Sequence, residues 1–332
     1  METKNIYLDR LYAAMREKAY NETEIHKCCE YASALLSKGF PVLFDDYHVQ
    51  EVLHLNKINL NDYHSFPLHQ LGKIREITAP SVAIKQRQKW ILNNILNRVN
   101  VSNHAHGFII NRSIKTNASA HIKSDYALCI DIKDFFPSIS RESVYSTFLS
   151  FGYSPSASSK LADVCCYMDK LPQGASTSPY LSNIVFKPVD EEISAITKSK
   201  GIIYTRYADD LTFSADHSLD NLLSEIERVL NTYGFQINYD KVHSYKPGFP
   251  KIITGLVVQN GVVRIPKQFK RKLRQEIYYC TKYGVLTHLE NINAQHYINY
   301  REHLYGKAYY VHMIEPEVGS VYLDSLDNIK WT

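Results

Sequence analysis

Three carboxylates stand out as residues that could do chemistry together. Two are adjacent, in Tyr207-Ala208-Asp209-Asp210, between runs at 202–207 and 211–213 that are rich in β-branched and aromatic residues and read as strands. Aspartates are poor strand formers and good turn formers, so the pair is placed at a hairpin tip. The third, Asp131, ends the apolar run Tyr126–Ile130. A lone Asp-Asp turn is ordinarily a solvated tip. If these strands pair, however, three acids converge at one sheet edge, and like charges that close require a cation between them. Two hard divalent ions about 3.5–4 Å apart on carboxylate oxygens form the apparatus for in-line phosphoryl or nucleotidyl transfer.

Other residues gain meaning beside that triad. Phe136 lies five positions beyond Asp131. Its ring could close the space beside a nucleotide sugar and exclude a 2′-hydroxyl, or pack with Phe135 in the core; both readings stand at this point. In Leu171-Pro-Gln-Gly-Ala-Ser-Thr-Ser-Pro179, Gly174 permits close backbone approach to a ligand, and Ser178-Pro179 is a helix start. Lys241 could give a proton to departing pyrophosphate or be an exposed turn lysine.

The elements that must hold these groups follow from periodicity. Residues 5–55 read as helices, the second running from about Glu22 to a stop at Gly39-Phe-Pro41. Alternation from Tyr63 to Thr78 predicts a hairpin with Lys73 and Arg75 at or just after its turn, where a fixed guanidinium would clamp an incoming triphosphate. A helix follows from Ser81 to about Asn97. Residues 102–125 show little periodicity and read as a loop. Helices are expected around 141–151, after Ser178 with a break at Pro188, and over 218–233. Residues 252–263 read as a final hairpin. From Pro266 a helix places Phe269, Leu273, Ile277 and Cys280 on one face. Lys267, Arg271, Arg274 and Lys282 fall opposite, a stripe suited to a phosphate backbone as well as to plain solvation. Tyr297, Tyr300, Tyr305, Tyr309 and Tyr310 are expected to pack a helical subdomain, with room for one or two to stack on bases.

Composition sets the bounds. The 332 residues are 45% apolar and 22% charged, as in ordinary globular chains long enough for two or three subdomains. A net charge of +4 does not by itself argue for nucleic acid. The six cysteines show no CxxC spacing and the fourteen histidines no HExxH pattern, which removes those zinc chemistries. No apolar run reaches membrane-span length and the start lacks a signal-peptide core, so a cytoplasmic protein with no membrane partner is expected.

Together, Asp131-Ile-Lys-Asp-Phe-Phe136, Gln173-Gly-Ala-Ser-Thr-Ser-Pro179 and Tyr207-Ala-Asp-Asp210, in that order between Gly72-Lys-Ile-Arg75 and Lys241, resemble a reverse transcriptase over roughly residues 60–260. Asn117-Ala-Ser-Ala-His121 is similar to the NAxxH element of bacterial retron reverse transcriptases, and Ile253-Thr-Gly255 to their Val-Thr-Gly element, with Ile replacing Val.

The resemblance implies an α+β right-hand fold. An N-terminal helical extension would take 1–55, fingers 56–125, an antiparallel-sheet palm 126–262 and an α-helical thumb 263–332. It implies two Mg²⁺ held by Asp131, Asp209, Asp210 and the carbonyl of Ile132. Lys73, Arg75, Phe136, Gln173, Gly174 and Lys241 would contact the dNTP. Asn117, His121, Thr254, Gly255, Lys267, Arg271 and Arg274 would contact RNA. It further implies a structured non-coding RNA as template and primer, a branched RNA–DNA product (msDNA), and antiphage defence with a separate effector (toxin) protein. The stretch after Gly255 is expected to hold a thumb without the maturation and endonuclease domains of intron-encoded relatives. Two other readings remain: a reverse transcriptase of abortive-infection or group II-like type, and an idle RNA-binding scaffold that restrains an effector. The intact triad speaks against the scaffold.

Overall fold

The computed structural model describes residues 2–56, 59–70, 73–294 and 298–331; the side chains of residues 2, 3 and 68–76 lie outside the described part. Its strands are β1 (Tyr63–Gln70), β2 (Lys73–Pro80), β3 (Tyr126–Asp131), β4 (Ile203–Tyr207), β5 (Asp210–Ala215), β6 (His243–Tyr245), β7 (Lys251–Ile253), β8 (Leu256–Gln259) and β9 (Val262–Arg264). They form a β1–β2 hairpin, a four-stranded sheet in the order β4-β5-β3-β6, and a β7-β8-β9 meander. All pairings are antiparallel.

The four-stranded sheet positions the acids. Because side chains alternate along a strand, the register of β3, β4 and β5 sorts them into two faces. Asp131, Asp210, Thr212, Ser214, Thr205 and Tyr207 share one face. Leu128, Ile130, Tyr204, Arg206, Leu211 and Phe213 share the other, and all of these but Arg206 belong to the main apolar core. That core also takes apolar side chains of helices Arg141–Phe151, Pro155–Cys165, Ser178–Val185, Lys187–Ser199 and Leu222–Thr232. Leu222, Ile226, Val229 and Leu230 supply the buried stripe of the last of these.

The N-terminal helices begin as expected. Asn21 and Glu24 form a reciprocal capping box, and helix Glu22–Ser37 ends just before Gly39. Leu35, Phe40, Leu43, Val49 and Leu53 bury into the main core. The end of this extension is therefore built into the body of the molecule.

A second core joins β7–β9 to helices Lys267–Tyr283, Tyr300–Ile314 and Pro316–Asp327, through Ile253, Leu256, Leu273, Leu304 and Val311. By packing, the meander goes with the C-terminal helices rather than with β3–β6. The single hairpin expected over 252–263 is a three-stranded meander, because Thr254 and Gly255 take left-handed backbone angles and turn the chain. The expected loop over 102–125 contains helix Ile114–Ser119, whose Ser113 and Thr116 side chains cap each other's backbone N–H groups. Tyr300 is buried and Tyr305 and Tyr310 pack against this core, whereas Tyr309 is exposed; Tyr297 lies outside the described residues. Among the described residues no helix is long and apolar enough to cross a membrane.

Candidate active site

The strand pairing that the acids required is present. Asp131 is the register partner of Asp210, and the Ile132 N–H donates to the Asp209 carbonyl at 3.0 Å. β4 and β5 are joined by the two-residue turn Ala208-Asp209, with Ala208 at φ +56°. A non-glycine residue there is held by its surroundings rather than by its own preference. Two neighbours account for it. A Cβ on Gly107 would lie 2.8 Å from the Ala208 nitrogen, so only glycine lets that loop pack against the turn. From the other face of the sheet, Arg206 donates to the Ala208 carbonyl at 3.0 Å.

Arg206 is fully buried, as is Asp190. Its guanidinium forks onto both Asp190 oxygens at 2.9 and 2.8 Å, donates to the Asn183 side chain at 3.1 Å, and lies 4.5 Å from the centre of the Phe186 ring. Tyr204 donates to the same carboxylate at 2.7 Å. Asn183 in turn donates to the Gly107 carbonyl at 2.9 Å. The Arg206 backbone bonds to His104 and His106, adding residues 104–106 to the β4 edge. The sequence reading passed over this cluster.

Asp131 is held at both oxygens. Asn238 Nδ2 donates to Oδ1 at 3.1 Å, and Lys241 Nζ pairs with Oδ2 at 2.7 Å. Lys241 thus stands at the acids, although its observed partner is Asp131. Asp131, Asp209, Asp210, Phe136, Gln173 and Lys241 line one cleft of about 1280 Å³. Phe108, Tyr207 and Asn238 line it as well. Phe136 is half-buried there, whereas Phe135 beside it is buried in the core, so the two rings are separated by environment. The Phe108 ring is 6.2 Å from Phe136 and 6.4 Å from Tyr207, an aromatic wall that the loop reading of 102–125 did not anticipate.

Gly174 donates to the Thr78 carbonyl at 3.0 Å, and a Cβ there would meet that oxygen at 2.6 Å. The glycine therefore seats the Gln173 loop on β2, a backbone rather than a nucleotide approach. Lys73 and Arg75 lie on β2 opposite Gln70 and Leu68, with side chains outside the described residues.

Asn117 and His121 are fully enclosed, which corrects the expectation that their side chains contact RNA. His121 sits between Ser214 and Thr205 at 2.7 Å each. Burial lowers its pKa to about 3, with His106 and Lys251 adding to the effect. Burial likewise lowers His106 to about 4, where it bonds Thr116 at 2.8 Å. Among the described residues the Asn117 side-chain amide has no hydrogen-bond partner. Thr254 donates to the Ile114 carbonyl at 3.4 Å, and Gly255 is exposed at the β7–β8 turn. Lys267, Arg271 and Arg274 are exposed on one helix, opposite buried Leu273, Ile277 and Cys280.

Among the described residues no three His, Cys, Asp or Glu side chains are already gathered as a metal cage. The donor set nevertheless fits a hard divalent ion: carboxylates on paired strands, facing an open cleft, with a lysine now neutralising one of them.

Residues 62–273 match the family described as reverse transcriptase (RNA-dependent DNA polymerase). Among curated proteins, the chain is 36% identical over 222 residues to the retron Ec86 reverse transcriptase of Escherichia coli, covering 65% of this chain and 69% of that one. It is 32% identical over 296 residues to the retron Mx162 reverse transcriptase of Myxococcus xanthus, covering 79% and 59%. Among solved structures, apo telomerase from Candida tropicalis shares the fold at a TM-score of 0.53 and 10% identity, over 83% of this chain and 60% of that one. The paired aspartates, the cleft they line and these matches agree: the chain belongs to the reverse transcriptase (RNA-dependent DNA polymerase) family, with retron enzymes among its relatives.

Proposed function

We propose that this protein copies a cognate structured non-coding RNA into DNA, starting from a 2′-hydroxyl of a guanosine in that RNA, so that the product is branched RNA–DNA. The observation that carries the reading is the pairing of Asp131 with Asp210 at the wall of a cleft that Phe136 and Gln173 also line. In this reading residues 56–125 are fingers, 126–262 palm and 263–332 a thumb resting on β7–β9, with 1–55 an extension. Asp131, Asp209, Asp210 and the Ile132 carbonyl would hold two Mg²⁺. When bound, the ions activate the attacking hydroxyl and offset the charge of the triphosphate.

The remaining work falls to the chain's own groups. Asn238 and Lys241 hold the Asp131 carboxylate in its orientation. Lys241 then gives a proton from Nζ to the departing pyrophosphate. Phe136 excludes a ribose 2′-hydroxyl by bulk, and Lys73, Arg75 and Gln173 grip the incoming dNTP. Lys267, Arg271 and Arg274 follow the phosphate backbone. Relatives of the chain are named retron reverse transcriptases, and we further propose that it works beside a separate effector protein in antiphage defence. The test is to express the protein with the structured RNA encoded next to its gene and to treat the purified nucleic acid with a 2′,5′-debranching enzyme. A DNA band that shifts on debranching supports the reading. DNA made only from added 3′-hydroxyl primers rejects it in favour of another reverse transcriptase lineage.

A further inference from the structure

The enclosure of His121 gives its motif a different task from touching RNA. Thr205 lies on β4 and Ser214 on β5, four positions from Asp209 and Asp210 respectively. At about 3.3 Å per residue, the Ser214 contact lies roughly 13 Å behind Asp210, and the Thr205 contact, whose register partner is Thr212, roughly 7 Å behind it, so His121 clips both strands of the hairpin. It does so on the sheet face that Asp131 and Asp210 occupy.

The bonding pattern is specific. Ser214 Oγ donates to Ser124 Oγ at 3.1 Å, so towards His121 it acts as acceptor. His121 therefore carries its proton on Nδ1, and Nε2 accepts from the Thr205 hydroxyl. One neutral imidazole thus satisfies a hydroxyl on each strand. Its other side is anchored as well. Lys251 of β7 donates to the His121 carbonyl at 3.2 Å and to the Ser124 carbonyl. Ala118, in the helix just ahead of it, packs in the second core with Ile253, Leu256 and Leu273.

We infer that His121 is a positioning residue: a strut that fixes the β4–β5 hairpin, and with it Asp209 and Asp210, to the unit formed by β7–β9 and the C-terminal helices. Whatever those helices grip is thereby held in register with the acids. The strut rests on the polymerase reading above, and it predicts that His121 matters for every template, not only for a cognate RNA.

The experiment measures addition of a single dNTP to a DNA primer annealed to an RNA template, at saturating protein. Binding of the same heteroduplex is followed by fluorescence anisotropy. His121→Ala should slow addition by on the order of 10- to 100-fold, since small misplacements of reacting groups cost that much. Heteroduplex affinity should stay within about twofold, because the side chain is enclosed. His121→Gln, which can also donate and accept, should recover part of the rate. Adding His121→Ala to Thr205→Val/Ser214→Ala should cost nothing more, as expected when all three act through one set of bonds.

Wild-type addition by His121→Ala would overturn the strut. So would lost affinity with an intact rate at saturation, or losses that multiply in the combined variant. If His121→Ala fails to fold, His121→Gln and the Thr205→Val/Ser214→Ala pair carry the same comparison. Failure of the wild type to extend any primer would instead remove the polymerase reading. Amide exchange on β4 and β5 separates the two failures, because the strut requires faster exchange there in His121→Ala whether or not DNA is made.

Discussion

Arg206 has no exposed surface, yet it carries a charge three positions before Asp209. A buried guanidinium persists only when paired and fully bonded, which Asp190, Asn183 and the Ala208 carbonyl accomplish. Arg206→Met should therefore destabilise the protein by roughly 3–5 kcal/mol, mostly by stranding the Asp190 charge. Urea unfolding measures this, and a loss below about 1 kcal/mol would mean that the pair is not the support described. Phe136 allows a second prediction. If its ring excludes the 2′-hydroxyl by bulk, Phe136→Ala should accept ribonucleotides while keeping much of its dNTP activity. An unchanged dNTP-to-rNTP preference in single-nucleotide addition would leave it as a wall residue only. The two residues also differ in legibility. Phe136 was visible by its spacing from Asp131, but sequence left it undecided between cleft and core. Arg206 reads as one more residue of a strand, because its partners Asp190 and Asn183 come from helices and lie 16 and 23 positions away.

At the scale of elements, the start and the buried face of helix Lys267–Tyr283 were legible, since a long amphipathic period with a proline at its start leaves little choice. Its exposed Lys267, Arg271 and Arg274 belong to a phosphate-binding stripe in the proposed function. Replacing all three by Gln should lower the slope of log affinity against log salt by about 0.7–0.9 per lost phosphate contact. An unchanged slope would mean a merely solvated face. Helix Ile114–Ser119 was not legible. It has six residues, too few for a period to show, and its cap uses Ser113 with Thr116 instead of a glutamate or glutamine at the third position. The β7–β8 turn was hidden as well, because Ile252–Val258 looks like one apolar run. Only Thr254 and Gly255 at positive φ divide it.

At the scale of the whole molecule, the described residues form two apolar cores with the acid-bearing sheet in the first, and residues 114–124 link that sheet to the second. The triad was legible because its chemistry needs particular residues in a particular order. The link was not, because burial and long-range bonding decide its role, and an Asn or His in a polar stretch gives no sign of being enclosed. All of this geometry converges on a claim about Asp131, Asp209 and Asp210. Mg²⁺-dependent addition of dNTPs to a DNA primer on an RNA template tests it most directly, comparing wild type with Asp131→Asn and with Asp209→Asn/Asp210→Asn. The variants should remain folded, as judged by circular dichroism, and lose on the order of 10³-fold or more in rate, because the centre for transition-state charge is gone. Near-normal extension by folded Asp131→Asn protein would contradict the account.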